Sequence, residues 1–201
     1  TEAVTRTRTG PLREFVFDSN QIREIRYAAM LHDVGKIAVK EEVLNKEKKL
    51  MPYELEIIRM RLKLMKTTLL LRQQIEKQDV RPLIEKLSYA WKIITDANEP
   101  NVLPMKVSEV LDELKLIQIQ TEEGEIFKAL TENEGFRLSI PRGSLTDVER
   151  LAIESHVTHT YEILKRVPWS RGLENVPEIA FKHHEKLDGS GYPGHISGSN
   201  I

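Results

Sequence analysis

With 201 residues, the chain is long enough for one sizeable domain with a real core, or for one domain carrying a large insertion. Its 30 basic and 31 acidic residues leave a formal charge of −1, so no global field favours a polymeric nucleic acid, whereas a small anion needs only a local positive site. The absence of cysteine excludes disulfides and thiolate metal sites, leaving His, Asp, Glu and water to hold any metal, and it suits a reducing cytoplasm.

No apolar run approaches the length of a membrane span, and the first residues carry no hydrophobic signal core, so no membrane is expected in this segment. Residues 1–19 read as a polar loop with a break at Gly10-Pro11. Asp18 or Ser19 caps a helix expected over 21–33, with Ile22, Ile25, Ala28, Ala29 and Leu31 toward the core. Gly35 ends it, and 37–50 reads as loop. Dense Leu, Ile and Met predict a long helix over 52–77, with Leu55, Ile58, Leu62, Met65 and Leu69 as a stripe that is either core or a homodimer face. Arg59, Arg61 and Lys63 on it read as a solvated face. Further helices are expected over 81–95 and 108–116, with a turn at 98–101 between them. The acidic, Gly-punctuated segment 121–143 predicts no element. Thr146 followed by Glu149 has the capping-box spacing and opens a helix expected to run to Arg166, before Pro168. A last helix is expected over 176–184, and a Gly-rich loop follows. Helical periodicity dominates and strand alternation is nearly absent, so the fold class is all-α.

Several residues carry chemistry. His32 and Asp33 fall near the end of the first predicted helix. Neighbouring helical residues point about 100° apart, so such a pair can touch two metals side by side, or one metal and its water. A carboxylate can bridge two cations, and imidazole suits borderline metals. The same pair also reads as a satisfied core histidine with an Asp closing the helix. His183 and His184 repeat the pattern at a second helix end, with Glu185 placed to orient one of them; a polar helix terminus is the plainer reading. His156 and His159 share a helix face, and spacing does not decide which of them faces a site. Lys36 can offer its ammonium to a bound phosphate or complement the helix dipole. Gly189, Gly191 and Pro193 shape a loop whose amides can approach an anion, or that simply turns. In combination these residues suggest metal-assisted phosphoester hydrolysis.

The run Leu31-His32-Asp33-Val34-Gly35-Lys36-Ile37, the segment 143–150, His156, and the run His183-His184-Glu185-Lys186-Leu187-Asp188-Gly189-Ser190-Gly191-Tyr192-Pro193 together resemble the HD-GYP phosphodiesterases of the HD phosphohydrolase superfamily. The resemblance is close over 21–50 and 140–198. It implies an all-α, HD-type helical bundle with an α-helical insertion. It also implies a binuclear or trinuclear iron or manganese centre that hydrolyses cyclic di-GMP to pGpG and GMP through a metal-bridging hydroxide. On this resemblance the metal ligands are His32, Asp33, His156, His183 and His184, with Asp33 bridging. Asp33 and Lys36 are catalytic, and Lys36 contacts the substrate phosphate. Gly191, Tyr192 and Pro193 shape the substrate site and bind partners in some members, while Glu185 and Asp188 support the ligands from behind. Two alternatives keep the same residues: an HD phosphohydrolase acting on another cyclic dinucleotide or nucleotide, and a non-catalytic regulatory module that binds protein partners. Competent residues at all five ligand positions argue against the second.

More than a hundred residues separate Asp33 from His156, which resembles a longer subgroup. The expected layout is an N-terminal part of the core over 1–50, a helical insertion over 51–136 and a C-terminal part over 137–201, with a sensory domain upstream. The ligand that the family carries on a helix before the His-Asp pair, and the Asp it carries after the Gly-Tyr-Pro loop, have no counterpart in these residues. The chain is therefore expected to be an internal piece of a longer protein, with weak metal binding and low activity by itself.

Overall fold

The computed structural model describes residues 2–10, 13–77, 79–121 and 123–201. In chain order the elements are α1 (Glu2–Arg6), α2 (Ser19–Leu31), a 3-10 turn (Val34–Ala38), α3 (Glu41–Leu44), α4 (Pro52–Glu76), α5 (Arg81–Ala97), α6 (Met105–Leu116), β1 (Gln118–Gln120), β2 (Ile126–Lys128), α7 (Glu132–Leu138), α8 (Asp147–Glu154), α9 (His156–Leu164), α10 (Val176–Phe181) and a 3-10 turn (Gly198–Asn200). The fold is mostly helical, as the periodicity predicts. Among the described residues no helix is long and apolar enough to cross a membrane. The chain forms two compact units: a central unit, Asn45–Asp147, and a terminal unit made of Thr1–Leu44 and Val148–Ile201. The 51–136 range expected for an insertion covers the inner part of the central unit; Leu50 and Leu138, just outside that range, are fully buried in the same core.

The central unit is built on apolar burial. The stripe Ile58, Leu62, Met65 and Leu69 of α4 packs with Leu87, Ala90 and Ile94 of α5 and with Leu111 and Leu114 of α6, so this stripe is core. A second apolar face of α4, carrying Tyr53, Ile57, Met60, Leu64 and Leu71, is exposed. Proline in the first turn preorganises both α4 and α5. Arg61 departs from the expected solvated face: its guanidinium pairs with both carboxylate oxygens of Glu134 at 2.8 Å, largely out of solvent. Arg59 stays exposed, pairing with Glu56 and lying over the Trp91 ring.

Elements appear where none is expected: α1 and α3 lie in stretches that read as loop, and the central unit adds a hairpin and α7. Gln118–Gln120 and Ile126–Lys128 form an antiparallel hairpin with Ile119 opposite Phe127. Its turn relies on Gly124 at φ 88°, a left-handed conformation that a side chain would strain. Next, α7 starts from a capping box in which Thr131 Oγ1 accepts from the Glu134 amide and Glu134 accepts from the Thr131 amide. Lys46, Lys49 and Asn98 are the buried polar residues described in this unit, and Lys49 Nζ donates to the Leu138 carbonyl at 2.9 Å. Burial pushes that ammonium below the ordinary lysine range.

In the terminal unit, Asp18 caps α2, accepting from the amides of Asn20 and Gln21 while Gln21 returns the bond to the Asp18 amide. The helix ends at Leu31, earlier than the expected 33, so His32 is its C-cap and Asp33 opens the 3-10 turn. Of the five residues expected to face the core, Ala28 is buried, Ile22, Ile25 and Leu31 are half-buried and Ala29 is exposed; Glu24 is buried instead. Its carboxylate accepts from the main-chain amide and side-chain amide of Asn175, at the start of α10. The single helix expected over 146–166 is two, α8 and α9. They part at Ser155, whose hydroxyl donates to the Ala152 carbonyl at 2.7 Å and so competes with the regular ladder. The indole of Trp169 donates to the Leu164 carbonyl and closes α9. The last helix, α10, stops at Phe181, which leaves His183 and His184 in the turn beyond it rather than inside the helix.

Candidate metal centre

All of the site lies in the terminal unit, where α9 packs against the 3-10 turn after α2, and α10 packs against α9 and α2. These packings gather four imidazoles and one carboxylate from three separate stretches of sequence. His32 and His183 rings meet edge to face with centroids 4.8 Å apart, His156 lies 5.5 Å from His183 and 5.3 Å from His184, and His183 and His184 are 4.1 Å apart. Two triads, His156 with His183 and His184, and His32 with Asp33 and His183, each bring their ligand atoms within 4.8 Å of one another. His159, the alternative to His156 on the same helix, is exposed and outside the cluster.

Asp33 divides its oxygens between the two sides of the cluster. Oδ1 is 3.2 Å from His156 Nε2, while Oδ2 is 3.2 Å from His32 Nε2 and accepts from Lys36 Nζ at 2.8 Å. Burial pushes the Asp33 carboxyl up, but the Lys36 ammonium, together with His32 and His156, outweighs it and holds the group below its ordinary range. It is a carboxylate at neutral pH.

Three of the four histidines share one mode of support. The Nδ1 atoms of His32, His156 and His183 face the carbonyls of Ala29, Ile153 and Ala180 at 2.8, 2.5 and 2.6 Å, each three residues earlier. A carbonyl can only accept, so each Nδ1 carries the proton and each Nε2 lone pair is turned inward. The Nε2 atoms of His156 and His183 are buried and make no hydrogen bond. Such orphaned acceptors need a partner, and a divalent cation among imidazoles and a carboxylate is a chemically fitting one. Burial, then the neighbouring histidines, push His183 down and bring His184 down to about 4, so both rings are neutral at pH 7. That is the ligand form.

Two further devices fix this geometry, and the sequence did not expose the first. Thr160 of α9 is fully buried; its hydroxyl accepts from the Gly35 amide and donates to the His32 carbonyl, both at 2.9 Å. This ties the His32-Asp33 turn to the helix that carries His156. Gly35 itself has no room for a Cβ, which would collide with the His156 carbonyl and the Thr160 backbone. The second device is the closing loop. Glu185 was expected to orient a ligand histidine; its carboxylate instead accepts from the Gly194 and Ile196 amides at 2.6 and 2.9 Å, the Nδ1 atoms of His32, His156 and His183 being already taken by carbonyls. Asp188 likewise accepts from the Ser190 amide and bridges to Ser197 within the loop, rather than reaching a ligand. The Tyr192 ring stacks on His184 at 4.6 Å and 19°, next to a cis Tyr192–Pro193 bond. Gly191 is sterically obligatory, because a Cβ would press on the His184 carbonyl and the Glu185 backbone.

Four histidines and an aspartate thus converge, His156 from the start of α9 and the others from the turns after α2 and α10, in a cluster that could hold a metal ion. Residues 128–201 match the family model described as HD domain. Two curated proteins of Vibrio cholerae are similar over 59 residues, 29% of this chain: the 3'3'-cGAMP-specific phosphodiesterase 2, at 42% identity over 11% of its length, and the 3'3'-cGAMP-specific phosphodiesterase 3, at 36% identity over 12% of its length. The chain thus aligns with about a tenth of the length of each of these relatives. No solved structure matches the chain. Over residues 128–201 the chain is thus similar to an HD domain, and its His and Asp cluster could hold a metal ion.

Proposed function

We propose that the chain carries the catalytic centre of an HD-GYP cyclic-dinucleotide phosphodiesterase, with cyclic di-GMP as its substrate. The observation that carries this reading is the pair of buried, unpartnered Nε2 atoms of His156 and His183 beside a carboxylate that offers one oxygen to each side of the cluster. His32, Asp33, His156, His183 and His184 would hold two divalent ions, iron or manganese, with Asp33 between them. When bound, such ions acidify a water nucleophile and offset charge on the phosphoryl oxygens. The protein's own part is to present His183 and His184 as neutral imidazoles, to keep Asp33 ionised and to hold Lys36 within 2.8 Å of that carboxylate, where its ammonium adds positive charge for an incoming phosphate. A cavity of about 720 Å³ walled by Phe17, Ile25, Ala28 and Ile179, with His32 and His183 on its lining, suits a small ligand rather than a polymer. Gly191, Tyr192 and Pro193 would border the substrate.

The two similar Vibrio proteins bear the name of 3'3'-cGAMP phosphodiesterases, which favours a second reading in which this chain cleaves that mixed dinucleotide. Assaying the manganese- or iron-loaded protein against both substrates separates the two, and loss of all turnover in H32A/D33A ties either activity to this centre. Unchanged turnover in that double variant contradicts the mechanism. We further propose that the central unit is an insertion in the HD core, that the parent protein carries a sensory domain upstream and works in the cytoplasm, and that a homodimer, if formed through α4, uses its exposed Tyr53, Ile57, Met60, Leu64 and Leu71 face. A strict monomer in light scattering removes that last element.

A further inference from the structure

The segment 183–196 is wired to itself in an order that assigns Glu185 a task. Glu185 follows directly on His184, yet its carboxylate turns away from the imidazoles and takes the amides of Gly194 and Ile196 at 2.6 and 2.9 Å. Hydrogen bonds of a carboxylate to amides are among the stronger ones, and two of them from one side chain fix both its rotamer and the loop. Between the two ends of this clamp lies Tyr192. Its amide donates to the His184 carbonyl at 3.3 Å, and its ring lies nearly parallel to His184 at 4.6 Å. The close approach of Gly191 to the backbone of His184, Glu185 and Lys186 leaves the loop no slack there. Among the described residues no backbone carbonyl meets the His184 ring as those of Ala29, Ile153 and Ala180 meet His32, His156 and His183.

We propose that Glu185 and Tyr192 are positioning residues for His184: the carboxylate seats the loop, the loop seats the Tyr192 ring, and the ring does for His184 what a carbonyl does for each of the other three histidines. The consequence for metal binding rests on the cation reading given above, but the stacking itself does not. A variant that removes the clamp therefore loosens His184 and leaves the other three histidines and Asp33 in place.

Ring-proton NMR of the six histidines, followed by Mn²⁺ titration, tests this. In the metal-free wild type the His184 ring protons are displaced upfield by the Tyr192 face. E185A and Y192L lose that displacement, Y192F keeps it, and E185Q, with one acceptor oxygen for two amides, falls between. The exposed His159, outside the cluster, reports in every variant that the fold is intact. E185A and Y192L then bind Mn²⁺ roughly 10- to 100-fold more weakly, as loss of ligand support does elsewhere, while Y192F binds as the wild type. A His184 shift that survives in E185A overturns the proposal, as does a Y192F variant that behaves like Y192L. If the wild type binds no Mn²⁺, the cation reading fails, and the metal-free shifts still decide whether Glu185 seats Tyr192 on His184.

Discussion

The two units spend their interiors differently. Among the described residues the central unit gathers seventeen buried apolar side chains in one cluster, whereas the cluster of the terminal unit holds five, Ala28, Leu164, Leu173, Val176 and Ala180. In place of a larger core the terminal unit turns His156, His183 and Thr160 inward. Apolar burial stabilises without instruction about direction, but orphaned imidazole nitrogens destabilise until something binds them. The central unit is thus held by apolar packing, whereas the terminal unit presents a cluster that could hold a metal ion.

The largest test of this contrast is catalytic. H32A/D33A is expected to lose turnover by at least about a thousandfold, on the scale of an abolished metal centre, while far-UV circular dichroism keeps its helical signal. Conversely, Leu87→Ala in the central unit should cost about 2–5 kcal/mol of stability, measured by denaturant unfolding, and leave the histidine resonances of the terminal unit unshifted. A divalent ion should stabilise the terminal unit by about 2.7 kcal/mol at a concentration a hundred times its Kd, reversed by chelator. Thr160→Val keeps the shape but removes both bonds of the hydroxyl; about 1–3 kcal/mol lost, with weaker metal binding, is expected. A further effect is with pH. His184 has a folded pKa depressed to about 4 from 6.5, so it is the unfolded state that takes up the proton first, and metal-free stability should fall as pH falls from 6.5 toward 4. A melting temperature that rises over that window would break the assignment.

Sequence reading carried far where information is local. Asp18, Pro52, Pro82 and the Val176-Pro177 pair mark helix starts within a residue or two, because caps and proline act on their own turn. The motifs named the five residues of the cluster, since ligand chemistry restricts residue type. The hairpin was not legible: its strands have three residues each, too few for alternation to stand out. The capping box Thr131–Glu134 was readable and marks the start of α7 in an otherwise patternless stretch. Thr160 and Glu24 lay beyond reach, because their partners are 125 and 151 positions away and an isolated threonine or glutamate carries no sign of that. Glu185 shows the subtler failure. Its type and place fit a ligand's supporter, yet the backbone turns it toward the loop.

The most direct test of the cation centre uses the six histidines as their own reporters. During a Mn²⁺ titration, ring resonances of His32, His156, His183 and His184 should broaden together and first, ahead of the exposed His159 and His195. Uniform broadening of all six, or none in the cluster, would contradict the account.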